Sequence, residues 1–137
     1  MELTEAIKNR KSTRMFSNKK ISKQIIETIC HYAYKIPSAG NLKPIELYIA
    51  EFDQLPIYII ICADFSKTTD KYGKRGIRYI YMEAGHTAQN ICLMCEDLGL
   101  GSCCVGAFDE KEAKQKFNLK FKPIYMVAIG YKNVDTY

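Results

Sequence analysis

A chain of 137 residues with 47% hydrophobic and 26% charged residues has the composition of one ordinary globular domain, which excludes a disordered or low-complexity protein. It contains no apolar run of about eighteen residues, and its start, MELTEAIKNRKS, lacks the apolar stretch and cleavage site of a signal peptide, so a cytoplasmic protein away from the membrane is expected. A net charge of +5 favours an anionic partner without naming it, and with no recognised nucleic-acid module in the chain, nucleic acid is not the expected one.

Residues 2–10 read as a short polar helix, followed by a turn over residues 11–16 where Ser12 and Thr13 break the pattern. A second helix starts after Ser22, a good N-cap, carries Ile25, Ile29 and Ala33 on one stripe and stops at Pro37. Pro37-Ser38-Ala39-Gly40-Asn41 is turn chemistry throughout. It forms a loop between helix and sheet, where sites are commonly built. Residues 45–50 read as a strand, and residues 57–63, apolar and rich in β-branched side chains, as a strand buried on both faces. A short polar loop is expected over residues 64–74.

Residues 75–98 read as one helix of about 36 Å. Ala84, Ala88, Ile91, Cys92, Cys95 and Leu98 lie on one side and Leu93 and Met94 opposite. Its second half is therefore apolar nearly all round, which requires a central or interface position. The interface is favoured in so small a domain, with His86 as a packing or hydrogen-bonding residue on that half rather than a catalyst. Gly99 and Gly101 end the helix. A short strand over residues 102–105 follows, then a helix to Phe117 opened by Asp109 and Glu112 at capping-box spacing, and a last strand over residues 124–131. The result is an α+β arrangement in a single domain, residues 1–137.

Five of the six cysteines (Cys30, Cys62, Cys92, Cys95, Cys103, Cys104) sit in apolar runs and read as free packing thiols. The Cys92-x-x-Cys95 pair lacks two further ligands for zinc, and the adjacent Cys103 and Cys104 are poorly placed to bridge or chelate, so no metal site is expected. Arg10-Lys11-Ser12-Thr13-Arg14 gathers two guanidiniums and two hydroxyls at a helix-to-turn junction, which suits a phosphate. Alone, it also reads as a solvated basic turn. Lys71 beside Tyr72 reads either as a pair suited to proton transfer or as an exposed loop pair.

Four segments together resemble the FMN-dependent nitroreductase superfamily. Residues 9–16, NRKSTRMF, are similar to its opening motif, a basic residue and Ser followed by a basic residue and Phe; residues 37–41 are similar to its P-S-x-x-N loop. Residues 99–103, GLGSC, with 105–108, VGAF, resemble its G-L-G-S-C segment, and residues 129–131, IGY, its final strand. They span residues 9 to 131 in the family's order.

The resemblance implies a nitroreductase-like fold, with a central, mostly antiparallel sheet flanked by helices, in an intertwined homodimer that shares its FMN sites. It implies that Arg10 binds the FMN phosphate with Lys11 beside it, Ser12 the ribityl or phosphate region, and Arg14 the N1 and C2 carbonyl edge, where a cation stabilises the reduced ring. Pro37, Ser38, Ala39 and Asn41 are implied to come from the neighbouring subunit. The backbone of Val105, Gly106 and Ala107 is implied to face N5, and Lys132 to substitute for a phosphate-binding cation that the family carries beyond its last strand. Lys43-Pro44-Ile45 replaces the family's usual Gln-Pro-Trp, so an aromatic wall is missing.

The implied activity passes electrons from NAD(P)H through FMN, in ping-pong fashion, to an electron-poor nitro compound or quinone. No G-x-G-x-x-G follows a strand, which makes NAD(P)H a transient substrate. Residues 71–79, KYGKRGIRY, and 83–90, EAGHTAQN, look most like the streptolysin S-type branch that oxidises peptide azolines, here in a short form, with Lys71 and Tyr72 as catalytic candidates. Three alternatives stay open: dehydrogenation of an organic substrate such as an azoline, a flavin-binding protein with little turnover, and, less expected, a basic nucleic-acid-binding domain, which would be colourless and bind with a steep salt dependence.

Overall fold

A computed structural model describes residues 1–133 of the chain. In chain order the elements are α1 (Leu3–Asn9), α2 (Lys23–Ala33), β1 (Ile45–Ala50), β2 (Ile57–Ala63), α3 (Phe65–Tyr72), α4 (Arg75–Asp97), β3 (Gly101–Val105), α5 (Glu110–Lys116) and β4 (Lys122–Gly130). The strands form one sheet in the order β1-β2-β4-β3, and every pairing in it is antiparallel.

The apolar β2 takes a central place because side chains alternate along a strand and both of its faces need cover. Ile57, Ile59 and Ile61 pack toward α2 and α4 with Ile29, Ile80, Ile91 and Val127. Ile60 and Cys62 point the other way, joining Ala113, Leu119 and Met126 beneath α5. Both capped helices start as expected: Ser22 Oγ accepts from the Ile25 N–H at 3.2 Å and Asp109 Oδ1 from the Glu112 N–H at 2.9 Å.

Three features differ from the sequence reading. Residues 64–74 hold a helix, α3, which starts after Asp64 and is stopped by Gly73 at φ 63°. Its polar composition hides the two residues that dock it: Phe65 packs on the main core and Thr68 is fully buried. A Cβ on Gly76 of α4 would lie 3.1 Å from the Thr68 backbone, so glycine permits the close crossing. Tertiary docking rather than intrinsic propensity makes this helix.

The apolar second half of α4 is buried centrally in its own chain, with Ile91 and Cys95 at 0% exposure. Its first half instead exposes large apolar side chains, Ile77 at 45%, Tyr81 at 45% and Met82 at 49%. His86 is exposed rather than packed.

Finally, α2 ends at Ala33, short of Pro37. Asn90 Nδ2 donates to the carbonyls of Tyr32 and Lys35 at 3.2 and 3.0 Å, satisfying acceptors that a helix end leaves open and fixing the chain's exit toward residues 37–41. Among the described residues no helix is long and apolar enough to cross a membrane.

Candidate functional site

The basic segment is locked by a contact that only glycine allows. Gly101 is buried, and a Cβ there would lie 2.5 Å from Thr13 Oγ1 and 2.7 Å from Thr13 Cβ. Thr13 fills that space at 1% exposure, and its N–H donates to the Ser102 carbonyl at 2.8 Å. Further on, the Asn133 N–H donates to the Met15 carbonyl at 3.1 Å and the Ser17 N–H to the Tyr131 carbonyl at 2.9 Å. Residues 12–17 are thus laced to the start of β3 and the chain just past β4.

Extended backbone alternates its side chains. With Thr13 inside, Ser12 and Arg14 face out together, beside exposed Lys11 and half-buried Arg10. This corrects the expectation of two converging hydroxyls: Thr13 is an anchor, and Ser12 alone offers its hydroxyl outward. Neither Arg10 nor Arg14 pairs with a carboxylate among the described residues, so both guanidiniums remain available to an anion. Gly101→Ala is expected to cost about 1–3 kcal/mol of stability by overpacking against Thr13, read as a lower denaturation midpoint. It should also weaken anion binding by the displaced segment.

Val105 closes β3, and Gly106 and Ala107 follow it on the surface. A Cβ on Gly106 would meet only Tyr125, at an ordinary 3.7 Å. Nothing in the chain itself requires glycine there, and the approach to its backbone is open. Lys132 Nζ stands 3.5 Å from Glu96 Oε1 on α4, and Glu96 is 7% exposed. Any phosphate contact from Lys132 competes with this pair.

The second group surrounds residues 37–41. A 3-10 turn, Ala39–Asn41, contains Gly40 at φ 60° and Asn41 at φ 55°, a left-handed pair that these two residue types accommodate best. The Ala39 N–H donates to Glu83 Oε2 at 3.3 Å from above α4, while Ser38 Oγ accepts from the Lys43 N–H at 3.0 Å. A Cβ on Gly40 would lie 2.8 Å from the Tyr72 hydroxyl and 3.3 Å from Lys71 Nζ. The fold therefore brings Lys71 and Tyr72 onto the same loop as Pro37, Ser38, Ala39 and Asn41. Tyr72 is held by an edge-on contact with Tyr79, ring centroids 5.3 Å apart.

Glu83 itself was not singled out from sequence. It is 3% exposed, and its Oε1 is buried without a hydrogen-bond partner among the described residues. Leaving such an acceptor unsatisfied is costly, so Oε1 is open to a donor beyond the described residues. Two clefts of about 320 and 300 Å³ share Ser38 and Glu83 in their linings; the first adds His31, Tyr34 and Lys35, the second Ala39, Met82 and His86. The available signal was a carboxylate set in an otherwise apolar stripe, Ile80, Glu83, Ala84, Thr87, at helical spacing.

The chain keeps the two groups apart. Residues 10–14 run along β3, residues 37–41 lead into β1, and those strands are opposite edges of the sheet, three spacings or about 14 Å from one another.

Comparisons with known proteins bear on the family and the fold. Residues 7–55 and 50–131 match the model described as the nitroreductase family. A protein of Methanocaldococcus jannaschii that carries a nitroreductase name is 42% identical over 92 residues, 64% of this chain and 46% of that protein; the chain thus spans less than half of that relative's length. A solved structure from Clostridium acetobutylicum, named as an NADH oxidase, is 29% identical and superposes with a TM-score of 0.79 over 93% of this chain and 87% of that one. A nitroreductase family protein from Streptococcus pneumoniae shares the fold at a TM-score of 0.86 and 19% identity, over 96% of this chain and 91% of that one. With the family match running from within α1 to the end of β4, the chain belongs to the nitroreductase family.

Proposed function

We propose that the chain is an FMN-dependent oxidoreductase that works as a homodimer, each flavin held by residues 10–14 of one subunit and residues 37–41 of the other. The observation that carries this reading is the Thr13–Gly101 lock, which presents Arg10, Ser12 and Arg14 with no carboxylate among the described residues to neutralise the two guanidiniums. This donor set fits FMN. Two guanidiniums and a hydroxyl suit a phosphate and an electron-rich ring edge, and the orphaned Glu83 Oε1 near the second group is an acceptor for a donor from outside the chain.

The pairing of subunits has its own support. The two groups lie on opposite sheet edges, and Ile77, Tyr81 and Met82 form an exposed apolar stretch on α4 of the kind that a partner covers. FMN, when bound, supplies the two-electron carrier between a nicotinamide donor and an electron-poor acceptor such as a nitro compound or quinone. Arg10, Lys11 and Ser12 bind its phosphate end, Arg14 stabilises negative charge at the ring, and the open backbone at Val105, Gly106 and Ala107 faces the reactive edge. The NADH oxidase name of the structural relative supports a nicotinamide donor.

A second reading is favoured by one observation, the placement of Lys71 Nζ and the Tyr72 hydroxyl against Gly40. If residues 37–41 close over the ring, that pair stands where a substrate loses a proton as it gives up a hydride. This arrangement serves an organic substrate such as a peptide azoline.

Anaerobic addition of NADH and NADPH to the FMN-loaded protein tests the main reading. Bleaching of the flavin bands by either nucleotide, and their return on adding a quinone, is the expected result. Bands that persist with both donors would remove the nicotinamide-driven reaction.

A further inference from the structure

A pair of thiols lies outside the roles assigned so far. Cys92, buried in α4, and Cys104, exposed in β3, bring their Sγ atoms to 3.7 Å. Both were expected to be packing residues, but the exposure of Cys104 and its neighbours argue against that for this one. Its sulfur faces the Tyr125 hydroxyl of β4 and the Arg10 guanidinium as well as Cys92. The Cys103 thiol turns instead to the Cys104 carbonyl.

We propose that Cys92 and Cys104 form a redox-active dithiol whose co-reactant is a hydroperoxide, with Cys104 as the attacking thiol and Cys92 as its resolving partner. The sulfur of Cys104 is favoured as the thiolate. The hydrogen bond from Cys92 pulls it down to about 6, against the opposing effect of burial, with help from the Tyr125 hydroxyl and the Arg10 charge. Cys92 is pushed up by that same hydrogen bond and by burial, which makes it the S–H donor of the pair.

Hydrogen peroxide is small enough to reach this sulfur. The Cys104 thiolate attacks one peroxide oxygen, the O–O bond breaks, and hydroxide leaves to become water; Cys104 is oxidised by two electrons to a sulfenic acid. Negative charge grows on the departing oxygen, and Arg10 and Tyr125 supply a cation and an O–H donor beside it. The Cys92 sulfur then loses its proton and attacks the sulfenic sulfur, the S–O bond breaks, and the departing hydroxide takes that proton as water. In sum, two thiols and one peroxide give one disulfide and two waters. An external thiol reverses it by exchange.

The test uses the purified protein as isolated, reduced and freed of reductant, then treated with one equivalent of hydrogen peroxide. Peptide mapping is expected to find a Cys92–Cys104 cross-link that dithiothreitol removes. Cys92→Ser should halt at a sulfenic acid that dimedone traps on Cys104. Alkylation of Cys104 by iodoacetamide in the untreated protein should rise as pH passes through about 6 rather than near 8.5, the ordinary thiol range. A wild-type map in which Cys92 and Cys104 stay reduced, or in which Cys103 is the residue modified, would overturn the proposal without relying on any variant's folding.

Discussion

Replacing Arg10 and Arg14 together with alanine is expected to weaken FMN binding by about 10²- to 10⁴-fold, with a denaturation midpoint close to that of the parent. Each guanidinium offers charge-assisted hydrogen bonds worth about 1.5–3 kcal/mol, and two such losses convert to this range of affinity. The midpoint should hold because the lock on the segment is made by Thr13, Gly101 and backbone bonds, none of which involves an arginine side chain. Fluorescence titration of FMN, whose emission changes on binding, reads the first quantity and thermal denaturation the second. Unchanged flavin affinity in the double variant would remove residues 10–14 from the site.

Tyr72→Phe separates the two directions of electron flow. Phenylalanine keeps the ring that packs on Tyr79 and removes only the hydroxyl beside Gly40 and Lys71. For a substrate that must give up a proton along with its hydride, such as an azoline, turnover is expected to fall about 10²- to 10⁴-fold, the usual worth of a positioned acid or base. Reduction of bound FMN by a nicotinamide requires no such proton transfer from carbon and should be unchanged. Stopped-flow measurement of both half-reactions gives the comparison. Equal loss in both would assign Tyr72 to the shape of the loop rather than to proton transfer.

The sequence was legible where one residue's chemistry decides the outcome. Seven successive apolar residues make β2 central wherever it is put, and the hydroxyl of Ser22 and the carboxylate of Asp109 cap the helices that follow them. It was not legible where docking decides. The helix α3 depends on Phe65 and Thr68 meeting α4 and the core, a match that no local pattern announces. The stripe of α4 was legible, since Ala84, Ala88, Ile91, Cys92 and Cys95 are buried as read, but its edges were not: docking on the sheet turns His86 outward and takes Glu83 inside.

The candidate site divides in the same way. Arg10, Ser12 and Arg14 stood out by composition, but that Thr13 faces inward follows from the space above Gly101, which exists only once β3 is placed. The contact of Lys71 and Tyr72 with residues 37–41 likewise joins segments that are remote in the chain. The pairing of Lys132 with Glu96 at 3.5 Å joins β4's exit to α4 in the same way, and no local pattern shows it.

The central claim is that two copies of the chain are needed to hold one flavin. Sedimentation velocity of the protein with added FMN, followed at both protein and flavin wavelengths, tests it most directly. The expected result is flavin absorbance moving with a species of two chains, at about one flavin per chain. Flavin that stays behind with the solvent, or that travels with a single chain, would contradict the account.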